Sequence, residues 1–553
     1  MAFTYLERFI QDSVGDAFRR LRNALPTVIS HVRPSDRPEF GDYSSSLAMI
    51  VASEEGVASR ELAADIVAAM RDCVATDEFE KVAVAGPGFI NVFLTPTRIQ
   101  AALQHILDTG ESYGRQKRSG PKKLQIEFVS SNPTGPLTVG HGRQAVLGDV
   151  LANLYEHLGY DVRREYYFND EGRQIDLLAE SLWARFRELL GDPLEIPEEG
   201  YQGEYLKDAA RQLKDEMPDG FPSFDEEARG RFRSEAVARM TALIKEDLAK
   251  LDVQFDEWFS EATLHTSGEV DEALAALRAH DGVYEKDGAI WLKAEEHGGE
   301  KDSVLVRSDG RPTYLMVDVA YHINKKRRGF DRVINVQGAD HHAELTCVKA
   351  ALRILGYPDE WLSYAVHQFV SLKEGGQTLK MSTRAGRFVT LHDLLDELGR
   401  DIVRYFMISR KPEAHLDFDL DLARSASLDN PATYVQYAHT RIASIFRKAE
   451  GLGVDWEDAD LGPLVERDEL DLIKTLDRFP AMVETAAGPS FAPHLLADYA
   501  LQLSRAFHAY YDKHRVLTDD EGLSRARLAL LSALGTVLRS SLDLLGMTAP
   551  SEM

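Results

Sequence analysis

The sequence predicts an α/β protein built around a doubly wound, parallel, Rossmann-like sheet, with an α+β domain before it and a helical bundle after it. Strand-like and helix-like runs alternate through the middle of the chain, a short α+β pattern precedes them, and helical patterns dominate after residue 428. We expect an N-terminal domain over residues 1–115, a catalytic domain over 116–425 with a helical insertion at about 171–265, and a helical domain over 426–553.

Helical spacing and turn residues define the first domain. Leu62, Ile66, Val67 and Met70 share one helix face, and the strand-like runs 81–85 and 89–94 flank a Gly-Pro-Gly turn.

The central sheet should begin with a strand over 124–129, followed by a loop and a helix with an apolar face. Four later strand-like runs are expected in the same region: 162–168, 289–292, 333–336 and 366–372. Four helices are expected in the last domain: 434–449, 469–485, 493–514 and 522–545.

Composition limits the class of protein. The 553 residues carry a formal net charge of −26, and two cysteines are too few for a disulfide scaffold, a zinc ribbon or an iron–sulfur ligand set. The first residues do not resemble a signal peptide and no apolar run could span a membrane, so we expect a cytoplasmic protein with no membrane partner. The acidity disfavours non-specific attraction to nucleic acid but permits docking on local basic patches.

The first chemical motif is SSNPTGPLTVGHG over residues 130–142, between a predicted strand and a predicted helix. Its glycines and prolines leave N–H groups unpaired at the helix start, which is a phosphate-binding feature. His141, between Gly140 and Gly142, could donate a hydrogen bond to a phosphate oxygen. The alternative is a glycine-rich turn in which the histidine is only a cap.

The second motif is Lys380-Met381-Ser382-Thr383-Arg384, which follows a Gly375-Gly376 turn able to close a hairpin. A mobile loop with these cations and hydroxyls could close over a pyrophosphate leaving group and exclude water. Taken alone, a solvated basic loop explains it equally well, but the two motifs together favour nucleotide chemistry.

Together these motifs resemble the HIGH and KMSKS signatures of class I aminoacyl-tRNA synthetases, and the chain resembles the arginyl-tRNA synthetase family most. The resemblance extends over nearly the whole chain in these segments: 41–43, 85–91, 127–137, 164–170, 307–314, 318–322, 338–342 and 430–439. Two positions depart from the signatures, because Thr138 replaces the first histidine and Thr383 replaces the second lysine. We expect Arg384, Lys122 or Lys123 to supply the missing cation.

The resemblance assigns roles to residues of this chain. It implies His141 and Lys380 as catalytic residues. Contacts to ATP are implied for Thr138, Gly140, His141, Gly338, Asp340, His341, Lys380, Met381, Ser382, Thr383 and Arg384. Arginine would be held by Glu127, Asn132, Tyr314 and Asp318, whose types suit a planar cation. Contacts to tRNA are implied for Tyr434, Tyr437 and Met553.

The resemblance also implies a two-step reaction. Arginine is activated by ATP to arginyl-adenylate with loss of pyrophosphate, and is then transferred to the 3′ end of tRNA(Arg) for translation. The expected partners are L-arginine, ATP and tRNA(Arg). Mg²⁺ is expected to accompany ATP without a dedicated protein metal site. The chain is expected to be a monomer.

Alternatives remain open from the residues alone. A nucleotidyltransferase of small molecules, or a tRNA-binding relative without chemistry, would share some of these motifs. Asp340-His341-His342 with Glu344 could ligate a metal, though adjacent histidines point apart. The basic run 325–328 could contact tRNA phosphates or form a solvated turn. Tyr434 and Tyr437 could be core residues. The chain end at Met553 could be frayed.

Overall fold

The structure is a computed structural model of the chain. It describes residues 3–553 except 24–25, 27–30, 36, 74–77, 121, 171, 218–220, 222, 340–341 and 380–388.

The first domain is an antiparallel sheet covered by helices. Its strands are β1 (Val32–Pro34), β2 (Tyr43–Ser45), β3 (Phe79–Ala85) and β4 (Phe89–Leu94), in the order β1-β2-β4-β3. Its helices are α1 (Tyr5–Arg22), α2 (Leu47–Glu55), α3 (Ser59–Cys73) and α4 (Pro96–Thr109). The predicted helix and both predicted strands are confirmed. Gly88, at φ +138°, is required in the turn, because a side chain there would lie 2.9 Å from the Ser59 carbonyl oxygen.

The second region holds most of the strands. Its strands are β5 (Lys123–Glu127), β6 (Asp161–Phe168), β7 (Glu257–Ser260), β8 (Val283–Lys286), β9 (Ala289–Leu292), β10 (Ser303–Val306), β11 (Arg332–Gly338), β12 (Leu362–His367), β13 (Val370–Glu374), β14 (Gln377–Thr378) and β15 (Leu416–Asp419). Its helices are α5 (Val139–His157), α6 (Arg173–Leu189), α7 (Glu204–Glu216), α8 (Glu226–Lys250), α9 (Ala262–Thr266), α10 (Glu269–Ala279), α11 (Tyr314–Arg327), α12 (His342–Ile354), α13 (Leu391–Leu398), α14 (Arg400–Ile408) and α15 (Leu420–Arg424).

Five of these strands form the parallel sheet, in the order β12-β11-β5-β6-β7. The predicted parallel, doubly wound sheet is therefore confirmed. Its edge strand β7 was not predicted, because it is four residues long and follows the helical stretch α6–α8, whose own core includes Trp183, Phe186 and Phe232.

Two predicted strands were assigned to the wrong place. The run 289–292 forms β9 of a separate antiparallel sheet, because the Asp287-Gly288 turn with positive φ at both residues folds it onto β8. The run 366–372 is two strands in different sheets, since the chain leaves the parallel sheet at Gln368, whose N–H donates to the Pro412 carbonyl. The hairpin expected at Gly375-Gly376 is confirmed as β13–β14.

The last region is helical, as predicted. Its helices are α16 (Pro431–Gly451), α17 (Arg467–Asp477), α18 (Phe479–Ala487), α19 (His494–Lys513) and α20 (Glu521–Leu544). The single helix expected over 469–485 is two helices, because Pro480 lacks an N–H and occupies the first turn of a new helix. No helix among the described residues has the length and apolar character needed to cross a bilayer.

The first and last domains are joined through Asp477, which is buried at the end of α17. Its carboxylate accepts hydrogen bonds at 3.0 Å from the N–H groups of Tyr5 and Leu6, at the start of α1. Nearby, Lys474 pairs with Asp42 at 2.6 Å. Asp477 therefore satisfies helix-start donors that would otherwise be buried without partners.

Replacing Asp477 with Ala should lower the free energy of unfolding by about 3 kcal/mol, because two buried N–H groups lose a charged acceptor. Urea unfolding followed by circular dichroism measures the change. Asp471→Ala is the control, because Asp471 forms a half-exposed pair with Lys474 and should cost less than about 1 kcal/mol. Equal effects of the two changes would contradict this role for Asp477.

Candidate active site

The centre of the parallel sheet contains a switch point between two strand ends, and the space there is called the crevice below. The first strand, β5, lies between β11 and β6, so the chain crosses to opposite sides of β5. In such sheets, ligands bind beyond the carboxyl ends of the strands at this switch point. Here that position is bounded by the segment after Glu127 and by Gly338 at the end of β11.

The turn that leaves β5 has a strained backbone. Val129 and Ser130 have φ of +68° and +40°, which costs a non-glycine residue about 1–3 kcal/mol each. Side-chain contacts hold this turn in place: the Ser130 hydroxyl donates to the Glu127 carboxylate at 2.9 Å and accepts from the Tyr167 N–H at 3.2 Å. The Tyr166 hydroxyl donates to the Ser131 carbonyl at 2.9 Å. Strain maintained in this way is typical of functional sites.

His141 lies in the first turn of α5 in a defined tautomer. Its Nδ1 accepts a hydrogen bond from the Thr138 backbone N–H at 3.1 Å, so the ring proton is on Nε2. Burial and, to a smaller extent, His367 lower the pKa of His141 to about 4, so the ring is neutral at pH 7. Among the described residues, none is hydrogen-bonded to Nε2. His141 can therefore donate to a ligand without being a cation, and Thr138 acts through its backbone.

Helix α5 holds both flanks of the second motif. The motif itself lies outside the described residues: Lys380, Met381, Ser382, Thr383 and Arg384. The chain after it returns to the start of α5. Thr390 forms a β-bridge with Thr138, and the Leu391 N–H donates to the Leu137 carbonyl at 2.8 Å. Gly142 gives Leu391 a close packing position at this contact, since a Cβ on residue 142 would lie 2.8 Å from the Leu391 Cδ1.

The flank before the second motif is anchored by Arg143, a buried residue. Its guanidinium donates to three backbone carbonyls, those of Gln368, Lys411 and Ala414, at 2.7–2.9 Å. This fixes the start of α5 beside the entry to β13, and Leu379, at the end of that hairpin, donates its N–H to Leu372. Asp340 and His341 also lie outside the described residues.

Glu127 faces inward and is paired with Lys325. The Lys325 ammonium lies 2.6 Å from the Glu127 carboxylate and 3.0 Å from the Asn335 side-chain oxygen, and all three residues are buried. The Asn335 amide contacts His322 Nε2 at 3.0 Å, and the other ring nitrogen lies 3.1 Å from the Asp318 carboxylate. This chain of contacts joins β5, α11 and β11.

These contacts correct the two interpretations of the basic run 325–328 at two of its four residues, Lys325 and Arg328. They do not concern Lys326 or the exposed Arg327. Lys325 is fully buried, and Arg328 forms two hydrogen bonds to the buried carboxylate of Glu165 at 2.6 and 2.7 Å. Neither residue is therefore a solvated charge or an RNA contact. Sequence reasoning missed them because both stand in an uninterrupted run of four basic residues, which on its own predicts exposure.

The other predicted arginine-binding residues surround the mouth of the crevice. Tyr314 and Asp318 share one face of α11, as their spacing predicted; Tyr314 is 65% exposed and the Asp318 side chain 33%. The Asn132 amide donates to Gln174 of α6 at 2.8 Å.

Glu261 is an acidic neighbour that the sequence did not reveal, and its carboxylate accepts a 2.5 Å hydrogen bond from Tyr167.

The crevice carries negative charge. Burial, together with the carboxylates of Asp318 and Glu127, raises the pKa of the Tyr364 hydroxyl well above its usual value. Burial and Glu261, followed by Asp318 and Glu127, raise the pKa of Tyr167 in the same way. Because Lys325 already neutralises Glu127, Asp318 and Glu261 are, among the described residues, carboxylates that can balance a cationic ligand here; Glu344 also acts on Tyr364.

The predicted tRNA-binding tyrosines lie on a partly exposed face of the helical domain. The Tyr434 and Tyr437 rings pack against His508 of α19, with centroids 4.9 and 5.7 Å apart, and neither tyrosine is fully buried. Arg441 donates to the Tyr437 hydroxyl at 3.2 Å.

The chain is hydrogen-bonded to α16 as far as Ser551, two residues before Met553. The Pro550 carbonyl is hydrogen-bonded to His439 and Thr440, and the Ser551 carbonyl to Arg447. Met553 is 66% exposed.

Comparisons with known proteins match three regions of the chain. Residues 7–94 match the family "Arginyl tRNA synthetase N terminal domain", residues 102–412 match "tRNA synthetases class I (R), catalytic domain", and residues 435–553 match "DALR anticodon binding domain".

Individual relatives give the same result. A Thermotoga maritima protein called arginine–tRNA ligase is 46% identical over 94% of this chain and 94% of its own length. The solved structure of Thermus thermophilus arginyl-tRNA synthetase superposes with a TM-score of 0.76 at 25% identity, covering 99% of this chain and all of that one. A structure described as a putative arginyl-tRNA synthetase from Campylobacter jejuni has a TM-score of 0.75 at 34% identity, covering 82% of this chain and 99% of that one.

The ionisation of His141 can be measured directly. Because burial lowers its pKa to about 4, the ring should lose its proton well below the ordinary range for histidine and remain neutral, with Nε2 protonated, at pH 7. Nitrogen-15 shifts of selectively labelled histidine, assigned by comparison with His141→Asn, would report both properties. A titration midpoint between 6 and 7, or a proton on Nδ1, would contradict the structure.

Replacing Lys325 with Met should lower the free energy of unfolding by about 4 kcal/mol, because the Glu127 carboxylate is left buried without its partner. The double change Lys325→Met with Glu127→Gln should recover most of this loss. Chemical unfolding of both variants measures the difference, and a double variant as unstable as the sum of the single changes would show that the two residues do not act as a pair.

Proposed function

The chain belongs to the arginyl-tRNA synthetase family and ligates arginine to tRNA in translation, at the expense of ATP, and we propose that the crevice beyond β5 and β11 is its active site. The family match over all three regions argues against a stand-alone nucleotidyltransferase. The observation that carries the proposal is that a neutral, donating His141 and a group of acidic side chains border the same crevice.

The activation step needs charge stabilisation more than a protein nucleophile. An oxygen of the arginine carboxylate attacks the α-phosphorus of ATP, and the bond to the pyrophosphate oxygen breaks. His141 Nε2–H donates to a phosphate oxygen as negative charge builds there, which is worth about 3 kcal/mol for one well-placed donor. Thr138 and Gly140 supply the helix start, and Gly338, Asp340 and His341 contact the nucleoside.

The leaving pyrophosphate is proposed to be held by the second motif. Lys380 is its main cation, and Met381, Ser382 and Thr383 complete the loop. Arg384, Lys122 or Lys123 provides the charge that the missing second lysine would supply. The attachment of both flanks of this motif to α5 supports its assignment to the same site as His141.

Mg²⁺ is proposed to arrive with ATP. Mg²⁺ is usually bound through one or two carboxylates together with substrate phosphates. When bound, Mg²⁺ would offset phosphate charge.

Arginine recognition is proposed to depend on Asp318 and Glu261. A guanidinium group needs planar acceptors with unbalanced negative charge, which these two carboxylates provide. Glu127 retains a role in the pocket through the Ser130 turn and Lys325, while Tyr314 and Asn132 contact the ligand at the mouth. In the second step, the arginyl group passes from AMP to the terminal ribose of the tRNA.

The flanking domains are proposed to bind the tRNA. We retain the boundaries 1–115, 116–425 and 426–553, with the first and last domains contacting the RNA. Tyr434 and Tyr437, beside Arg441, could stack on unpaired bases, and Met553 lies exposed at the chain end. We propose that the protein acts as a cytoplasmic monomer.

Changing Asp318 to Asn should raise the KM for arginine about 100-fold, because the guanidinium loses a charged hydrogen-bond partner. The KM for ATP should remain nearly unchanged. Steady-state aminoacylation of tRNA(Arg) measures both constants.

The matched control for this test is Glu272→Gln. Glu272 is an exposed carboxylate on the adjacent helix α10 that pairs with Arg327 of α11, and its replacement should change neither constant. A normal KM for arginine in Asp318→Asn would refute the proposed pocket, while a parallel rise in both KM values would indicate general damage to the site.

A further inference from the structure

The last turns of α8 and the first turns of α13 meet in a chain of polar side chains. Asp247 of α8 is 2% exposed, and its Oδ1 lies 2.9 Å from Nδ1 of His392 on α13. The other ring nitrogen, Nε2, lies 2.9 Å from the Lys250 ammonium and 3.3 Å from the Asp396 carboxylate. Lys250 and Asp396 form an ion pair at 2.8 Å. We call these four residues the α8–α13 contact.

The buried end of this contact depends on His392. An ionised carboxylate only accepts hydrogen bonds, so Nδ1 carries a proton and donates to Asp247. The second carboxylate oxygen of Asp247 is buried and has no hydrogen-bond partner within the described part of the chain. Burial raises the pKa of the Asp247 carboxyl, and the His392 ring, followed by the Leu137 backbone N–H, opposes that rise. Removing the ring therefore leaves a buried carboxylate poorly satisfied.

The residue next to His392 holds the start of α5. The Leu391 N–H donates to the Leu137 carbonyl at 2.8 Å. Leu137 precedes Thr138, whose own N–H donates to His141 Nδ1 at 3.1 Å. A short series of hydrogen bonds thus leads from Asp247 to the ring of His141. A shift at the start of α13 would change the backbone that orients this ring.

The end of α8 is itself fixed, so Asp247 has a defined position. The fully buried Arg404 of α14 donates to the Leu251 carbonyl at 2.9 Å. Arg400, also on α14, pairs with Asp252 at 2.8 Å. Because α8 is the last helix of the insertion, the insertion supports the start of α5 through α13.

We propose that Asp247 and His392 are positioning residues for the activation step. They fix the start of α13 and, through Leu391, the backbone that directs His141 Nε2–H at the α-phosphate. This inference rests on the proposed function, because it takes His141 as the donor to the phosphate. Neither residue contacts a substrate. Their loss should therefore lower kcat and leave substrate affinity nearly unchanged, since a misplaced donor weakens the transition state more than the ground state.

The test is arginine-dependent ATP–pyrophosphate exchange by the full chain with tRNA(Arg), expressed per folded protein. His392→Ala should lower kcat about 10-fold, while the KM values for arginine and ATP change less than about 2-fold. His392→Asn should retain most of the activity, because the asparagine amide N–H can donate to Asp247 in place of Nδ1–H. Glu246→Gln is the matched control, since it alters an exposed acid beside Asp247 and should change neither constant.

A second measurement separates positioning from stability. The nitrogen-15 shift of His141 Nε2 should move in His392→Ala and return to its original value in His392→Asn. A contact that only stabilises the fold would lower the free energy of unfolding of His392→Ala without moving this resonance or the kcat of the folded protein.

Three results would overturn the proposal. One is an unchanged kcat in His392→Ala. Another is a loss of activity in His392→Asn as large as in His392→Ala, which would exclude the hydrogen bond to Asp247 as the cause. The third is a parallel rise in both KM values, which would indicate general damage. His141→Asn is assayed beside them: if it alone loses exchange, the positioning role fails and the active site stands, whereas normal exchange by His141→Asn would refute both.

Discussion

The buried pair of Glu127 and Lys325 is the constraint on which the site depends. Two charges removed from water are tolerated only when their remaining hydrogen-bonding capacity is satisfied, and here Ser130 and Asn335 provide the additional partners. The pair joins the central strand β5 to α11 and β11. It therefore fixes the position of the Ser130 turn relative to α11, the helix that carries Asp318.

The same pair determines the charge of the crevice. Lys325 cancels Glu127, so a cationic substrate meets net negative charge chiefly from Asp318 and Glu261. Helix α5 forms the opposite wall, and Arg143 and Gly142 hold its start against the segments on both sides of residues 380–388. Phosphate chemistry and guanidinium recognition can thus occur side by side, because the starts of α5 and α11 lie at the carboxyl edge of the same sheet.

Much of the fold could be predicted from local pattern. The runs 162–168 and 333–336 lie in strands of the parallel sheet, and the run 124–129 contains one that ends at Glu127, two residues earlier than predicted, because Val129 has a positive φ. The runs 289–292 and 366–372 also contain strands, but local pattern does not say which sheet a strand joins. That depends on a two-residue turn in one case and on a backbone hydrogen bond to Pro412 in the other.

The site was predictable only in part. His141, Tyr314 and Asp318 could be named from motifs, and the structure adds the tautomer of His141 and the helix face shared by the other two. Lys325 and Glu261 could not be named, because their importance comes from partners far away in the chain. A basic run resembles a solvated surface until a buried carboxylate is found opposite it.

The most direct measurement is a crystal structure of the chain with L-arginine and a non-hydrolysable ATP analogue. The account predicts an α-phosphate oxygen about 3 Å from His141 Nε2, with the guanidinium group hydrogen-bonded to Asp318 in the same crevice. A nucleotide bound elsewhere, or an arginine side chain directed away from Asp318, would contradict it.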